Sequence, residues 1–210
     1  MKFDKNIFLT EGFLVYPNYY SITDQIIEEA DKLLNDSNYK FGMKHVNNDI
    51  NELPKCLQRL VYTKEVSEFF SSLEKNIKCR DTMITHEFKS NQQERNGWLH
   101  FDRWRSFKAL VYLTDVTEND GPFSVVPRTQ DIGKKLRRSS VNQAYVDRPN
   151  RIKLDYPNFY KEPIKIIEAA GTLILFDTDV FHEGGKVKKD HQRKLIRSHW
   201  YPSNSWREIS

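Results

Sequence analysis

The sequence contains little cysteine and no long hydrophobic run, and each absence excludes a class of protein. It has only two cysteines, Cys56 and Cys79, and they form neither a disulfide framework nor a metal-ligand motif. No run of about 18 apolar residues occurs, so the sequence predicts no transmembrane helix. The first residues lack the apolar core and cleavage site of a secretory signal. We therefore expect a protein of the reducing cytoplasm with no membrane partner.

Internal repeats and low-complexity tracts are also absent, and the composition is that of a globular chain. Hydrophobic residues make up 38% and charged residues 30% of the sequence, which argues against a disordered protein. A chain of this length buries roughly 70% of the surface that its unfolded form exposes, and a domain averages roughly 150 residues. We therefore predict a single domain over residues 1–210 that needs no disulfide or metal for stability.

The net charge of +4 is unevenly distributed along the chain. Residues 1–100 contain 13 Lys/Arg and 15 Asp/Glu, whereas residues 101–210 contain 20 Lys/Arg and 14 Asp/Glu. A solvated basic face is the simplest interpretation, and an anionic ligand or nucleic acid is the alternative. The basic residues do not alternate with a regular platform of aromatic residues, so a nucleic-acid partner is disfavoured.

Residues 1–79 are predicted to form a short strand followed by helices. Phe13–Tyr16 is an apolar run that ends at a Pro-Asn turn signal. Apolar residues at helical spacing, preceded by a capping box, predict a helix over residues 22–35. The same spacing predicts a helix over 64–76 and a shorter one within 51–60, where a proline limits its start.

The pattern changes to short β-rich runs after residue 80. Seven runs are bounded by turn residues and predict strands: Thr82–Phe88, Trp98–Asp102, Lys108–Thr114, Pro122–Val126, Ile164–Ile167, Thr172–Phe176 and Lys194–Trp200. Helices followed by strands indicate an α+β chain with one mainly β core over residues 80–210, an antiparallel sandwich or barrel. Residues 128–163 form a long basic and polar segment, which we interpret as an active-site lid or a disordered insertion.

Three residues form a candidate metal site. His100 and Asp102 make an H-x-D motif on a predicted strand, where residues two apart point to the same face. His182 follows a strongly apolar strand. Two histidines and one carboxylate are the facial triad of non-haem Fe(II) oxygenases, which leaves open positions on the metal. Alone, an H-x-D motif is a weak signal, since a histidine in a β core is more often a packed side chain.

Two arginines downstream are candidate ligand-binding residues. Arg193 lies eleven residues after His182 and opens a β-patterned run. Its guanidinium can bind a carboxylate through two parallel hydrogen bonds, as the distal carboxylate of 2-oxoglutarate would require. Arg197, four residues later, lies on the same face of that strand. It is a candidate for substrate or 2-oxoglutarate binding, and the alternative is an exposed side chain at the barrel rim.

These motifs, in this order and spacing, resemble those of the Fe(II)/2-oxoglutarate-dependent dioxygenases and, within them, the phytanoyl-CoA dioxygenase-like group. The resemblance covers nearly the whole chain, and its segments are Leu9–Pro17, Trp98–Asp102, Tyr112–Val116, Asn119–Phe123, Gly171–Asp177, His182 and Arg193. There are two departures. Val126–Gln130 stands where the family usually has Pro-Gly-Ser-His, and Gly184 replaces a frequent hydroxyl residue two positions after the distal histidine.

The resemblance implies a double-stranded β-helix, or cupin-like jelly roll, with N-terminal helices that buttress one sheet. It implies Fe(II) bound by His100, Asp102 and His182, with 2-oxoglutarate bound by Arg193. O2 would be the second co-substrate, and ascorbate could support turnover. The expected enzyme is a hydroxylase that acts on an unactivated C–H bond and releases succinate and CO2. An intact Asp102 favours hydroxylation or desaturation over halogenation, because halogenase relatives lose that carboxylate.

The substrate is expected to be a small molecule, with an anionic one favoured by the basic second half. Arg103 and Trp104 directly follow the H-x-D motif, and with Arg197 they are the candidate substrate-binding residues. Two alternatives stay open: an oxygenase that acts on a protein or nucleic acid, and a non-catalytic jelly-roll module that binds a ligand. A simple binding module would need neither the triad nor the spaced arginine. The sequence does not indicate the oligomeric state.

Overall fold

The computed structural model describes residues 3–35, 39–40, 43–89 and 98–202. Its helices are α1 (Lys5–Glu11), α2 (Asp24–Asn35), α3 (Lys55–Val61), α4 (Lys64–Leu73), α5 (Gln130–Ser139) and α6 (Ile152–Asp155). Its strands are β1 (Phe13–Tyr16), β2 (Tyr39–Lys40), β3 (Met43–Asn48), β4 (Ile77–Phe88), β5 (Phe107–Tyr112), β6 (Phe123–Val126), β7 (Ile164–Lys165), β8 (Leu173–Asp177), β9 (Phe181–Gly184) and β10 (Gln192–Pro202). Short 3-10 helices lie at Ile50–Glu52, Tyr145–Asp147 and Pro157–Phe159.

Side-chain caps define the starts of the N-terminal helices. The Asp4 carboxylate accepts a hydrogen bond from the Ile7 amide at the start of α1, and Gly12 ends that helix with a left-handed φ of 87°. The Thr63 hydroxyl accepts from the Val66 amide at the start of α4. The predicted helices at 22–35 and 64–76 are confirmed as α2 and α4, whereas α1 was not predicted.

Two antiparallel sheets form the β core. The larger sheet has the strand order β1-β8-β5-β10-β4-β3-β2, and the smaller has the order β7-β6-β9. Neighbouring strands in both are antiparallel, as in a jelly roll. The predicted α+β architecture with a jelly-roll core is confirmed. Strand β3 lies in the N-terminal part of the chain and was not predicted, because its residues Met43–Asn48 are mostly polar.

The helices cover the outer face of the larger sheet, as predicted. Phe70 of α4 is fully buried and stacks on Phe107 of β5 with ring centroids 5.4 Å apart. Phe8 of α1 contacts Phe107 edge-on at 5.8 Å. Trp200 of β10 completes this aromatic cluster, 5.4 Å from Phe70. Aromatic pairs in these geometries add stability beyond the area that they bury.

Successive side chains of β10 point to opposite faces of the larger sheet. Lys194 forms an ion pair with Asp31 of α2, and the Ser198 hydroxyl donates to the Val61 carbonyl of α3, so these residues face the helices. Side chains at positions 193, 195, 197 and 199 therefore face the other way, into the space between the sheets.

The structure corrects two predictions about chain segments. Residues 128–163 are neither a disordered insertion nor a long loop, because they contain α5, α6 and two 3-10 helices. Trp98–Asp102 is not a strand: His100 makes only isolated bridges, to His182 and Arg151. The period-two argument for His100 and Asp102 therefore does not hold. Among the described residues, no helix is both long and apolar enough to span a membrane.

Helix α5 is held against the turn that precedes β9. The Arg137 guanidinium pairs with both carboxylate oxygens of Asp179, at 2.8 and 3.2 Å. At Gly133 the helix approaches this turn so closely that an added Cβ would lie 1.9 Å from the Asp179 carbonyl oxygen. A glycine is therefore required at the contact, even though glycine lowers intrinsic helix stability.

We predict that Gly133→Ala lowers the free energy of unfolding by about 1–3 kcal/mol, because the steric conflict outweighs the gain of about 1 kcal/mol in helix propensity. Urea unfolding followed by circular dichroism measures the change. Lys135→Ala, at an exposed position of the same helix, is the matched control and should change stability by less than about 0.5 kcal/mol. Equal stability of the two variants would show that α5 does not pack as described.

Candidate functional site

Two histidines from distant parts of the chain form one backbone pair. The His100 amide donates to the His182 carbonyl at 3.0 Å, and the His182 amide donates to the His100 carbonyl at 2.8 Å. Their imidazole rings lie side by side, with centroids 4.5 Å apart. Asp102 is held near them because its amide donates to the Thr178 carbonyl at 2.9 Å.

The two imidazoles direct the same nitrogen to one carboxylate oxygen. Nε2 of His100 lies 3.6 Å, and Nε2 of His182 3.5 Å, from Oδ1 of Asp102. Nδ1 of His100 contacts the Trp98 carbonyl at 2.7 Å, and Nδ1 of His182 contacts the Val180 carbonyl at 2.8 Å. Because a carbonyl can only accept, each Nδ1 carries a proton, and in the neutral imidazole Nε2 then presents the lone pair. This is the arrangement of metal-ligating histidines.

The protonation states of His182 and Asp102 also favour the binding of a cation. The three candidate ligand atoms lie within 4.8 Å of one another. Burial and the neighbouring His100 lower the pKa of His182 to about 4, so its imidazole is neutral near pH 7. Burial raises the pKa of Asp102, but Lys108 and the two histidines outweigh this effect and hold it well below its usual value. Neutral imidazoles and an ionised carboxylate are the forms that bind metals.

Lys108 of β5 orients the carboxylate of the cluster. Its Nζ lies 2.6 Å from Oδ2 of Asp102, whereas Oδ1 faces the two histidines. The lysine side chain is only 10% exposed.

Two cavities meet at the cluster. The inner cavity, of about 330 Å³, lies between the sheets and includes all three cluster residues together with Arg193 and Arg197. The outer cavity has a volume of about 400 Å³, and its lining residues are His100, Asp102, Arg103, Trp104, Tyr145, Asn150 and Tyr201. His100 and Asp102 therefore border both spaces, so one bound cation would contact molecules in each.

Arg193 lies in the wall of the inner cavity and is only 1% exposed. Its Nη2 is 2.5 Å from Oε2 of Glu87, the residue opposite it on β4. Its Nη1 donates to the Gly121 carbonyl. Its Nε is buried without a hydrogen-bond partner in the described part of the chain. The guanidinium is thus held in one orientation with a donor still available.

The candidate substrate residues occupy different cavities. Arg103 and Trp104 border the outer cavity, whereas Arg197 borders the inner one. The Arg103 Nε donates to the Arg148 carbonyl at 2.8 Å, and its guanidinium lies 5.5 Å from the Tyr145 ring centroid. Tyr145 also contacts Trp104 edge-on at 5.2 Å. The segment 128–163 thus supplies a wall of the outer cavity.

Several residues of the site were missed by sequence reasoning. They are Glu87 and His45 in the inner cavity and Tyr145, Asn150 and Tyr201 in the outer one. Glu87 could not be identified from the sequence, because its position opposite Arg193 depends on how β4 pairs with β10. No sequence signal indicated the others. The basic residues of α5 do not border either cavity; Arg137, for example, is paired with Asp179.

Jelly-roll proteins with a two-histidine, one-carboxylate cluster between the sheets are typically non-haem iron oxygenases. Residues 92–195 of this chain, about half of its length, match the family model of phytanoyl-CoA dioxygenase (PhyH). This match confirms the resemblance to the Fe(II)/2-oxoglutarate-dependent dioxygenases of the phytanoyl-CoA dioxygenase-like group that was noted in the motifs. No curated protein matches the chain significantly.

Solved structures with the same fold include three proteins of low sequence identity. HygX from Streptomyces hygroscopicus, solved with nickel, 2-oxoglutarate and hygromycin B, superposes with a TM-score of 0.66 at 17% identity, over 94% of this chain and 86% of HygX. The 2-oxoglutarate-dependent carbocyclase SnoK of nogalamycin biosynthesis gives 0.70 at 14% identity, over 93% and 81%. The epimerase SnoN, solved with Fe3+, 2-oxoglutarate and nogalamycin RO, gives 0.65 at 14%, over 95% and 82%. At such low sequence identities, the superpositions show that the fold is shared.

We expect His100→Ala and His182→Ala to weaken Co(II) or Fe(II) binding by more than about 100-fold, because each removes one of the three candidate ligands. Equilibrium dialysis under anaerobic conditions measures the affinity. His86→Ala is the control, since His86 lies opposite the helix-facing Lys194 on the larger sheet and contacts Gln192. Circular dichroism confirms that each variant is folded. Unchanged metal affinity in both cluster variants would exclude the cluster as the metal site.

Proposed function

We propose that this protein is an Fe(II)- and 2-oxoglutarate-dependent dioxygenase that hydroxylates an unactivated C–H bond of a small molecule. The observation that carries the proposal is the His100–Asp102–His182 cluster at the junction of two cavities. We assign the inner cavity to the co-substrate and the outer cavity to the substrate. When bound, iron and 2-oxoglutarate supply the oxidising chemistry with O2, and the co-products are succinate and CO2.

The three cluster residues would hold Fe(II) through Nε2 of each histidine and Oδ1 of Asp102. The fit depends on two features already described: both Nδ1 atoms are bound to backbone carbonyls, and Lys108 occupies the second oxygen of Asp102. With Oδ2 held by an ammonium group, the carboxylate is oriented to bind through one oxygen. Three protein ligands leave positions for a co-substrate and O2.

Arg193 would bind the distal carboxylate of 2-oxoglutarate. Its guanidinium is buried in the inner cavity, and Glu87 and the Gly121 carbonyl fix its orientation. A preoriented guanidinium loses little conformational entropy when it binds a carboxylate. HygX and SnoN were both solved with 2-oxoglutarate bound, which supports this co-substrate for a chain of the same fold.

The outer cavity favours a small substrate with polar groups and some apolar surface. The aromatic rings of Trp104 and Tyr145 form one part of its wall, while Arg103 and Asn150 provide hydrogen-bond donors. Arg103 would also attract an anionic group, consistent with the basic second half of the chain. HygX was solved with hygromycin B and SnoN with nogalamycin RO, which are small molecules bound by proteins of this fold.

Succinate formation tests the proposed reaction class. Purified protein with Fe(II), ascorbate, 2-oxoglutarate and O2 should form succinate, slowly by uncoupled turnover and faster with a substrate. His182→Ala should reduce both rates to background. Wild-type protein that binds Fe(II) yet forms no succinate with any of a broad panel of small polar molecules would count against the proposal. Mass spectrometry of products distinguishes hydroxylation from desaturation, epimerisation or ring closure.

We predict that Arg193→Met raises the KM for 2-oxoglutarate by about 10–100-fold, because a charged hydrogen bond contributes about 1.5–3 kcal/mol. The measurement is succinate formation at varied 2-oxoglutarate concentration. Lys194→Met is the matched control: the residue is next in sequence and faces the helices, where it pairs with Asp31. An equal KM in wild type and Arg193→Met would reject this role for Arg193.

A further inference from the structure

A second arginine of β10 reaches the inner cavity. Arg197 lies four residues after Arg193 and faces the same side of the strand. It borders the cavity together with His100, Asp102 and His182. Its cross-strand neighbours are Met83 on β4 and Leu110 on β5, neither of which carries a charge.

Within the described part of the chain, no carboxylate forms a close ion pair with the Arg197 guanidinium, although Glu87, Asp102 and Asp81 attract it over a longer distance. Its one hydrogen-bond contact there joins Nη2 to the Met83 sulfur at 2.7 Å, and a thioether is only a weak acceptor. Its Nε is buried with no hydrogen-bond partner among the residues that the structure describes. The other cations of the cavity are paired, Arg193 with Glu87 and Lys108 with Asp102.

An unpaired guanidinium in a cavity wall is energetically unfavourable. Arginine stays charged at any pH that a folded protein tolerates, and removing a charge from water without giving it a close partner is unfavourable. Burial lowers the pKa of Arg197 below its usual value, and the attraction of Glu87, Asp102 and Asp81 offsets this effect only in part. The lining of the inner cavity carries three cationic side chains and two carboxylates, so it has a positive charge in excess before any ligand binds.

We propose that Arg197 is a second carboxylate-binding residue of the inner cavity, and that it pairs with one of the two carboxylates of 2-oxoglutarate. The inference rests on the proposed function, since that function assigns the co-substrate to this cavity. A dicarboxylate matches two guanidiniums on one face of one strand better than a monocarboxylate does. Binding would replace the weak thioether contact of Arg197 with a charged hydrogen bond.

The test measures ligand binding without turnover. Protein loaded with Ni(II), which does not support the oxidation, is titrated with 2-oxoglutarate by calorimetry. Arg197→Met should weaken binding by about tenfold or more, Arg197→Lys should weaken it less because the charge remains, and Lys194→Met should leave it unchanged. Ni(II) affinity, measured separately, should be the same in all variants.

A second probe identifies the carboxylate that Arg197 contacts. 2-Oxopentanoate keeps the 2-oxo acid group and lacks the distal carboxylate. If Arg197→Met weakens both ligands, Arg197 binds the carboxylate next to the keto group; if it weakens 2-oxoglutarate alone, Arg197 binds the distal carboxylate. Both results support the proposal. Unchanged affinity for both ligands in folded Arg197→Met overturns it.

Thermal unfolding without ligand provides an independent measurement. Arg197→Met should raise the Tm because it removes an uncompensated charge, whereas Arg193→Met should lower it because Glu87 loses its partner. A lower Tm in Arg197→Met would contradict the unpaired state.

Failure of the proposed function has a different signature: wild-type protein loaded with Ni(II) would not bind 2-oxoglutarate. If wild type binds and Arg193→Met weakens binding while Arg197→Met does not, this inference alone fails.

Discussion

Two reciprocal backbone hydrogen bonds between His100 and His182 are the constraint on which the candidate site depends. They bring together two segments that are far apart in sequence, and they place the imidazoles side by side. Each ring is then fixed by a hydrogen bond from its Nδ1 to the backbone carbonyl of the residue two positions earlier. The orientation of both Nε2 atoms therefore follows from the backbone, and it does not require a bound ligand.

The space between the sheets contains more charge than a β core usually holds, and this charge is mostly arranged in pairs. Glu87 pairs with Arg193 and Asp102 with Lys108. Paired charges lower the cost of burial and leave few arrangements open to the side chains. A rigid, charged interior is suited to a co-substrate with two carboxylates, because its binding residues are already oriented.

Helix α5 and the segment after it link the outer cavity to the core. Arg137 anchors the helix to Asp179, three residues before His182, and Tyr145 lies in the wall of the outer cavity. The outer cavity, which we propose for the substrate, is therefore formed in part by a segment that looked irregular in the sequence. Its order comes from tertiary contacts such as the close approach of Gly133 to Asp179, which local sequence patterns do not reveal.

The sequence by itself determined the helical and strand-rich parts of the chain, the positions of most strands and the triad with its downstream arginine. These are local signals of periodicity, motif and spacing, as in α2 or the run that opens at Arg193. It did not determine β3, whose polar residues carry no β pattern, nor the pairing of Lys108 with Asp102. Only the tertiary structure decided which cationic side chains are paired with a carboxylate. The two residues of a salt bridge can be any distance apart along the chain, so the sequence gives no signal for the pair. For the same reason, only the fold distinguished the paired Arg193 from Arg197.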